Sequence, residues 1–187
     1  TQVIPAPLYN NDLLQAPLQI DGSNGEPLTV YRGLQGMQVT ALAWEIVGQG
    51  YAGDIRLILG VDADGAVLGV RVLSHAETPG LGDKIEASRS DWILGFSGLS
   101  LDNTPPDGWA VTKDGGRFDA FSGATITPRG VVAAIREGRT IYQNLSRVIL
   151  SSITSNLGEL SVVCIGFAGV DIRLRFRLAI IRIEHER

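Results

Sequence analysis

Two strand-like runs, Ile55 to Val61 and Val67 to Leu73, are separated by little more than the turn Asp62-Ala-Asp-Gly65, and this spacing constrains the fold more than anything else in the chain. A parallel neighbour needs a crossover of a dozen or more residues, usually a helix, whereas a short turn carrying Asp and Gly joins antiparallel partners. The two runs are therefore expected to form an antiparallel hairpin. A third apolar run, Val39 to Val47, precedes them, and Gly48, Gly50 and Gly53 mark the intervening turn. Downstream, Val131, Ile135, Tyr142, Leu145 and Ile149 recur at helical spacing interrupted by Gly138, with Thr127 and Pro128 as expected N-cap and first helical residue. The expected fold is α+β, a twisted antiparallel sheet with flanking helices; a doubly wound flavodoxin-like sheet is disfavoured.

Residues 1–40 are mixed in character, with Pro5, Pro7, Pro17, Pro27 and the turn-rich Asp21-Gly-Ser-Asn-Gly25. Asn11 is read as the cap of a short helix and Thr29 to Tyr31 as a brief strand, the whole packed on the domain surface. The chain has 187 residues, 44% hydrophobic, enough for one domain with a core and a small appendage. A net charge of −4, with both signs interspersed, presents no basic face for nucleic acid. Cys164 is the single cysteine, which excludes an internal disulfide and a multi-cysteine metal or iron–sulfur site. Neither His75 nor His185 has a partner at ligand spacing, so no metal site is expected. No apolar run of about 18 residues is present. With Thr1 in place of an initiator methionine and no secretory pattern, the chain is expected to be a processed or truncated product.

Two segments carry candidate chemistry. In Asp119-Ala-Phe-Ser-Gly-Ala-Thr125 a carboxylate lies six residues before a threonine hydroxyl that two small residues precede, just ahead of a helix start. Free amides and the positive end of the helix dipole favour a phosphate there. The same segment also reads as an ordinary turn leading into a helix. In His75-Ala-Glu-Thr-Pro-Gly-Leu-Gly-Asp-Lys84, Pro79 fixes its own φ, and Gly80 and Gly82 permit backbone geometry closed to other residues and close approach to a flat ring. Asp83 is expected to cap a short helix, Lys84 to Arg89. Glu77 either bonds a ligand edge or satisfies backbone amides of its own loop. Trp44, Trp92 and Trp109 are read as core or shelf residues.

The first segment matches the Asp-x-x-(Ser/Thr)-Gly-Ala-Thr pattern through which flavin transferases attach FMN by a phosphoester to the final threonine. The second is similar to the other hallmark of the same FMN-binding domain. From about Ala41 to about Ile149 the chain resembles the G subunit of the Rnf (Rsx) electron transport complex and, more distantly, the C subunit of the sodium-pumping NADH:quinone oxidoreductase. The resemblance implies covalent FMN on Thr125. It implies cofactor contacts from Glu77, Thr78, Gly80, Leu81, Gly82, Lys113, Ser122, Gly123 and Ala124, and recognition by the transferase through Asp119, Ser122, Gly123, Ala124 and Thr125. Lys113, before the turn Asp114-Gly-Gly116, is either a cation near the flavin or a solvated strand-end lysine.

The resemblance further implies an electron-transfer subunit of a membrane-bound ion-translocating oxidoreductase, without substrate chemistry of its own. It would sit on the bacterial inner membrane with the flavin domain facing the periplasm, held by an N-terminal anchor absent from this chain, and work with the other subunits of the complex. The alternative is a stand-alone flavin-binding module. The expected domains are an N-terminal segment, 1–40, a covalent FMN-binding domain, 41–150, and an extension, 151–187. In that extension Val170 to Leu178 alternates apolar residues with Asp171, Arg173, Arg175 and Arg177, unlike the rest of the chain.

Overall fold

The computed structural model describes residues 3–15, 17–21 and 26–142. The sequence expectations for Leu145, Ile149, Cys164, His185 and residues 151–187 lie outside them. The described residues form a five-stranded sheet in the order β1-β2-β3-β4-β5: β1 (Leu18–Asp21), β2 (Pro27–Gln35), β3 (Gln38–Gln49), β4 (Asp54–Asp62) and β5 (Val67–Ser74). Every neighbouring pair is antiparallel, including β4 and β5, for which the short turn requires it. One α-helix, α1, occupies residues 126–142 of the described chain.

Turn chemistry sets the register. Gln35 pairs with Gln38 across Gly36, whose φ of 63° supplies the left-handed first position of a two-residue hairpin, with Met37 at the solvent-exposed tip. At the β4–β5 turn the Asp62 carboxylate accepts the amides of Asp64 and Ala66 at 2.9 and 2.8 Å, and Gly65 adopts a φ of 81°. Strand β2 is longer than the brief Thr29 to Tyr31 run expected, and Val30 within it is fully buried. The Pro27 at its start donates no ladder bond, which a first strand position tolerates. Asn11 caps no helix. Its side chain instead accepts the Leu34 amide at 2.7 Å and donates to the Arg32 carbonyl at 2.9 Å, filling the irregularity between Gly33 and Leu34.

Both faces of the sheet are covered. Val3 and Ile4, with Leu8, Tyr9 and Leu13, pack on Ala41, Ala43, Tyr31, Ile58 and Leu68. On the other face α1 presents Val131, Ala134 and Ile135, all buried, toward the side of β3 and β4 that carries Trp44, Ile46, Leu57 and Leu59. This two-sided burial explains why β3 reads as a continuous apolar run rather than an alternation. Beyond β5, Trp92, Phe96, Trp109 and Phe118 form an aromatic cluster, with the Phe96 and Phe118 rings stacked 4.3 Å apart. Trp44 and Trp109 belong to the core, and Trp92 is partly exposed.

The helix lies close to the sheet because glycines line the seam. A Cβ on Gly48 would stand 2.6 Å from the Gly130 carbonyl oxygen, and one on Gly138 would meet Ile46 and Leu59 at 2.9 and 3.0 Å. A Cβ on Gly130 would run into the backbone carbonyl of Gln49. Alanine in place of a helical glycine ordinarily stabilises by about 0.5–1 kcal/mol. At Gly130 the sign reverses: Gly130→Ala is expected to cost about 1–3 kcal/mol by overpacking. Urea unfolding of this variant beside Gly95→Ala, whose Cβ meets nothing within 4 Å, checks it; equal midpoints for the two would refute the close seam.

Candidate functional site

Both candidate segments fold as tight turns of the same kind. In His75–Lys84 the Leu81 amide bonds the Thr78 carbonyl at 3.1 Å, with Pro79 at the second turn position and Gly80 at the third with a φ of 78°. In Asp119–Thr125 the Ala124 amide bonds the Phe121 carbonyl at 3.1 Å, with Gly123 at the third position and a φ of 81°. Pro then Gly, and Gly alone, are what a type II turn asks for at those positions. Gly82 is a different case: its φ is −84°, open to any residue. It is glycine because a Cβ would stand 2.8 Å from the Glu77 Cβ and 2.9 Å from the Thr127 hydroxyl oxygen.

The fold brings the two turns together. A Cβ on Gly123 would lie 3.6 Å from Leu81, and beneath this contact the Thr127 hydroxyl donates to Glu77 Oε2. Glu77 is only 5% exposed and Thr127 is fully buried. The other Glu77 oxygen accepts the amide of Ala52, in the β3–β4 turn, at 2.9 Å. Glu77 thus satisfies an amide of a neighbouring turn and a hydroxyl fifty residues away. The His75 ring braces the same loop: Nδ1 accepts the Glu77 amide at 3.0 Å and Nε2 faces Glu86 Oε1 at 2.8 Å, which assigns the ring proton to Nε2. That contact, with a bond from Ser88, holds the Glu86 carboxyl below its usual range.

Helix α1 begins two residues earlier than the sequence suggests. The Arg129 amide bonds the Thr125 carbonyl at 3.3 Å, so Thr125 is the N-cap and Thr127 lies inside the first turn. Pro128 is the third helical residue; its missing N–H falls where no intrahelical acceptor exists. Thr127 looked like the cap because its hydroxyl precedes a proline, but that hydroxyl is spent on Glu77. Asp83 likewise caps nothing. It is the first residue of a single 3₁₀ turn, Asp83–Ile85, and its carboxylate folds back onto the Gly80 amide at 2.8 Å.

Thr125 is half-buried, and its Oγ1 accepts a hydrogen bond from Lys113 Nζ at 2.9 Å. Lys113 sits in the 3₁₀ turn Thr112–Asp114 rather than at a strand end. The neighbouring Asp114 pairs with Arg129 of α1, Nε to Oδ2 at 2.6 Å and Nη2 to Oδ1. That pair holds the Asp114 carboxyl below the ordinary carboxylate range, so the contact is fully present at neutral pH and is lost only as acid protonates the aspartate. Asp119 is exposed; its backbone carbonyl accepts Trp92 Nε1 at 2.9 Å, and Trp92 packs edge-on against Phe121 at 5.1 Å. Thr78, Gly80, Leu81, Ser122 and Gly123 are exposed, Ala124 is half-buried, and Glu77 and Gly82 face inward.

The exposed members form an open surface around Thr125, apolar at Leu81 and Ile126, which are 42% and 47% exposed, and cationic at Lys113. A cavity of about 970 Å³ elsewhere, lined by residues such as Leu13, Tyr31, Glu45 and Ile141, includes none of them, and nothing in its lining resembles either motif. The sequence did not reveal Thr127 as the partner of Glu77, nor Asp114 and Arg129 as the pair that fixes the Lys113 turn. No local pattern signals a contact between a loop after β5 and a helix start.

The FMN-binding domain family matches residues 50–139, a stretch that includes both turns, Lys113 and Thr125. The G subunit of the ion-translocating oxidoreductase complex of Cereibacter sphaeroides is 48% identical over 152 residues, covering 81% of this chain and 69% of the relative. The protein of the same name from Stutzerimonas stutzeri is 52% identical over 134 residues, covering 72% and 59%. The crystal structure of Shewanella oneidensis NqrC aligns with a TM-score of 0.48 at 23% identity, covering 70% of this chain and 65% of that one. The chain belongs to the family formed by the G subunits of ion-translocating oxidoreductase complexes and contains their FMN-binding domain.

The buried contact between the two segments predicts a stability effect. Thr127→Val removes one partner of a buried carboxylate, at an expected cost of about 1–3 kcal/mol, and Glu77→Ala should cost more because it strands two donors. Chemical denaturation of both variants provides the measurement. Wild-type midpoints would show that the turns meet without this bond.

Proposed function

We propose that this chain is an electron-carrying subunit of a membrane-bound ion-translocating oxidoreductase, with FMN joined through its phosphate to the hydroxyl of Thr125. The observation that carries the reading is the juxtaposition of both motif turns at the N-cap of α1. Thr125 lies there beside a cation, at a helix end whose first amides lack intrahelical acceptors. These residues fit a phosphorylated planar ligand: Lys113 and the helix end suit the phosphate, and the exposed turn at Gly80 and Leu81 offers backbone groups and an apolar side chain to a ring. Bound FMN would supply the reversible uptake of electrons.

The chain's own residues hold and orient that group. In this reading Thr78, Gly80, Leu81, Ser122, Gly123 and Ala124 contact it, with Lys113 at the phosphate, while Glu77 and Gly82 act from beneath by fixing the loop. Asp119 and the Ser122 to Thr125 segment, exposed or half-exposed, are available to a flavin transferase during maturation. A phosphoester keeps the cofactor from dissociating at so open a site. The names of the relatives support membership of a multi-subunit complex. Among the described residues no helix is long and apolar enough to cross a membrane. The periplasmic orientation and an anchor outside this sequence are part of the proposal.

Co-expression with a flavin transferase, followed by intact mass measurement, tests the assignment. The wild-type chain should gain one FMN less water, and Thr125→Ala should gain nothing while unfolding at a similar denaturant concentration. A label retained in Thr125→Ala, or mapped to Ser122 or Thr127, would refute it. Gly80→Val, forced to a φ of 78° that suits only glycine, should keep the label on Thr125 but show altered flavin absorbance.

A further inference from the structure

We infer that Lys113 selects the hydroxyl of Thr125, and no other in its segment, as the acceptor in the phosphoester-forming step, by hydrogen-bonding Oγ1 before the flavin arrives. The inference rests on the reading proposed above. Three hydroxyls lie within six residues, and the structure treats each differently. Thr127 is fully buried with its hydroxyl given to Glu77, which removes it from competition. Ser122 is exposed and Thr125 only half-exposed, so access alone would favour Ser122. What distinguishes Thr125 is the ammonium group 2.9 Å from its oxygen.

The turn that carries that ammonium is held in place. The Thr112–Asp114 turn is closed by Gly115 at a φ of 85°, and the Thr112 amide bonds the Phe118 carbonyl at 2.7 Å. Asp114 in the same turn grips the Arg129 guanidinium, and the Arg129 amide bonds the Thr125 carbonyl at 3.3 Å. The turn that carries Lys113 and the backbone at Thr125 are therefore both tied to Arg129, which places the lysine within reach of Oγ1. Among the described residues Lys113 forms no ion pair that would compete.

The chemistry needs a cation at this point. The Thr125 oxygen forms a bond to the FMN-side phosphorus of flavin adenine dinucleotide. The phosphoanhydride bond on that phosphorus breaks, and adenosine monophosphate leaves with the electron pair. The hydroxyl proton goes to a base supplied by the transferase. Negative charge grows on the attacking oxygen and remains on the phosphodiester, and a donor already aimed at that oxygen stabilises both without reorganising. Lys113 keeps its protons throughout; it is a positioning and charge-stabilising residue.

The test incubates the full chain with a flavin transferase and flavin adenine dinucleotide, follows incorporation by intact mass, and locates the label by peptide mapping. Lys113→Met should slow labelling at Thr125 at least about tenfold, the size of one lost charge-assisted hydrogen bond, with residual label shared with Ser122. Lys113→Arg should restore labelling at Thr125, which a purely structural defect would not do. Lys113 is exposed, and an unchanged unfolding midpoint should accompany the slower rate. Wild-type rate and Thr125-only labelling in Lys113→Met would overturn the inference while leaving the attachment site intact. A wild-type chain that takes no flavin on Thr125 would instead overturn the parent reading and this one together.

Discussion

The buried hydrogen bond from Thr127 to Glu77 is the interaction on which the site depends. It joins a turn after β5 to the first turn of α1, and through the Ala52 amide it draws in the β3–β4 turn as well. Three separate stretches of chain are thereby fixed around one carboxylate. Such a group is costly to bury unless its oxygens find donors, and here both do. Once these bonds form, the Pro79-Gly80 turn and the Ser122-Gly123 turn have little choice but to lie side by side, with Leu81 against Gly123.

Glycine makes that arrangement possible in two distinct ways. Gly80 and Gly123 supply left-handed backbone at the third position of their turns. Gly82, Gly48 and Gly130 supply room, since a Cβ at each would strike a neighbour. The second group draws α1 against the sheet and the loop against the helix, so the N-cap at Thr125 is held by the packing of the whole domain. Above it the Asp114 to Arg129 pair anchors the turn that carries Lys113. A packed base beneath an exposed surface fits the proposed cofactor site, where the protein would set the ligand's position and leave its edge open.

The antiparallel order was legible because a short Asp and Gly turn leaves one solution for two adjacent apolar runs. Strands β3, β4 and β5 were found nearly to their ends, because each is an apolar run bounded by turn residues. Strand β2 was underestimated because its polar and proline-bearing start hides a run whose burial comes from long-range contacts with β3. Thr125 stands out in the sequence as the last residue of its motif, and the structure places it at the N-cap of α1 beside Lys113. The true helix start could not be read from the sequence, because Thr127 and Pro128 satisfy the local rules for a cap while a distant Glu77 claims the hydroxyl. The inward face of Glu77 was hidden likewise: a glutamate in a glycine-rich loop looks exposed until its partners, in the β3–β4 turn and fifty residues onward, are placed around it. Local propensity was overridden wherever a buried polar group had to be paired.

The most direct test of covalent attachment at Thr125 is a crystal structure of the chain after treatment with a flavin transferase. Continuous density is expected from Thr125 Oγ1 to the FMN phosphate, with that phosphate within hydrogen-bonding distance of Lys113 and the ring against the turn at Gly80 and Leu81. A phosphate on another hydroxyl, or a ring lying away from that turn, would contradict the assignment.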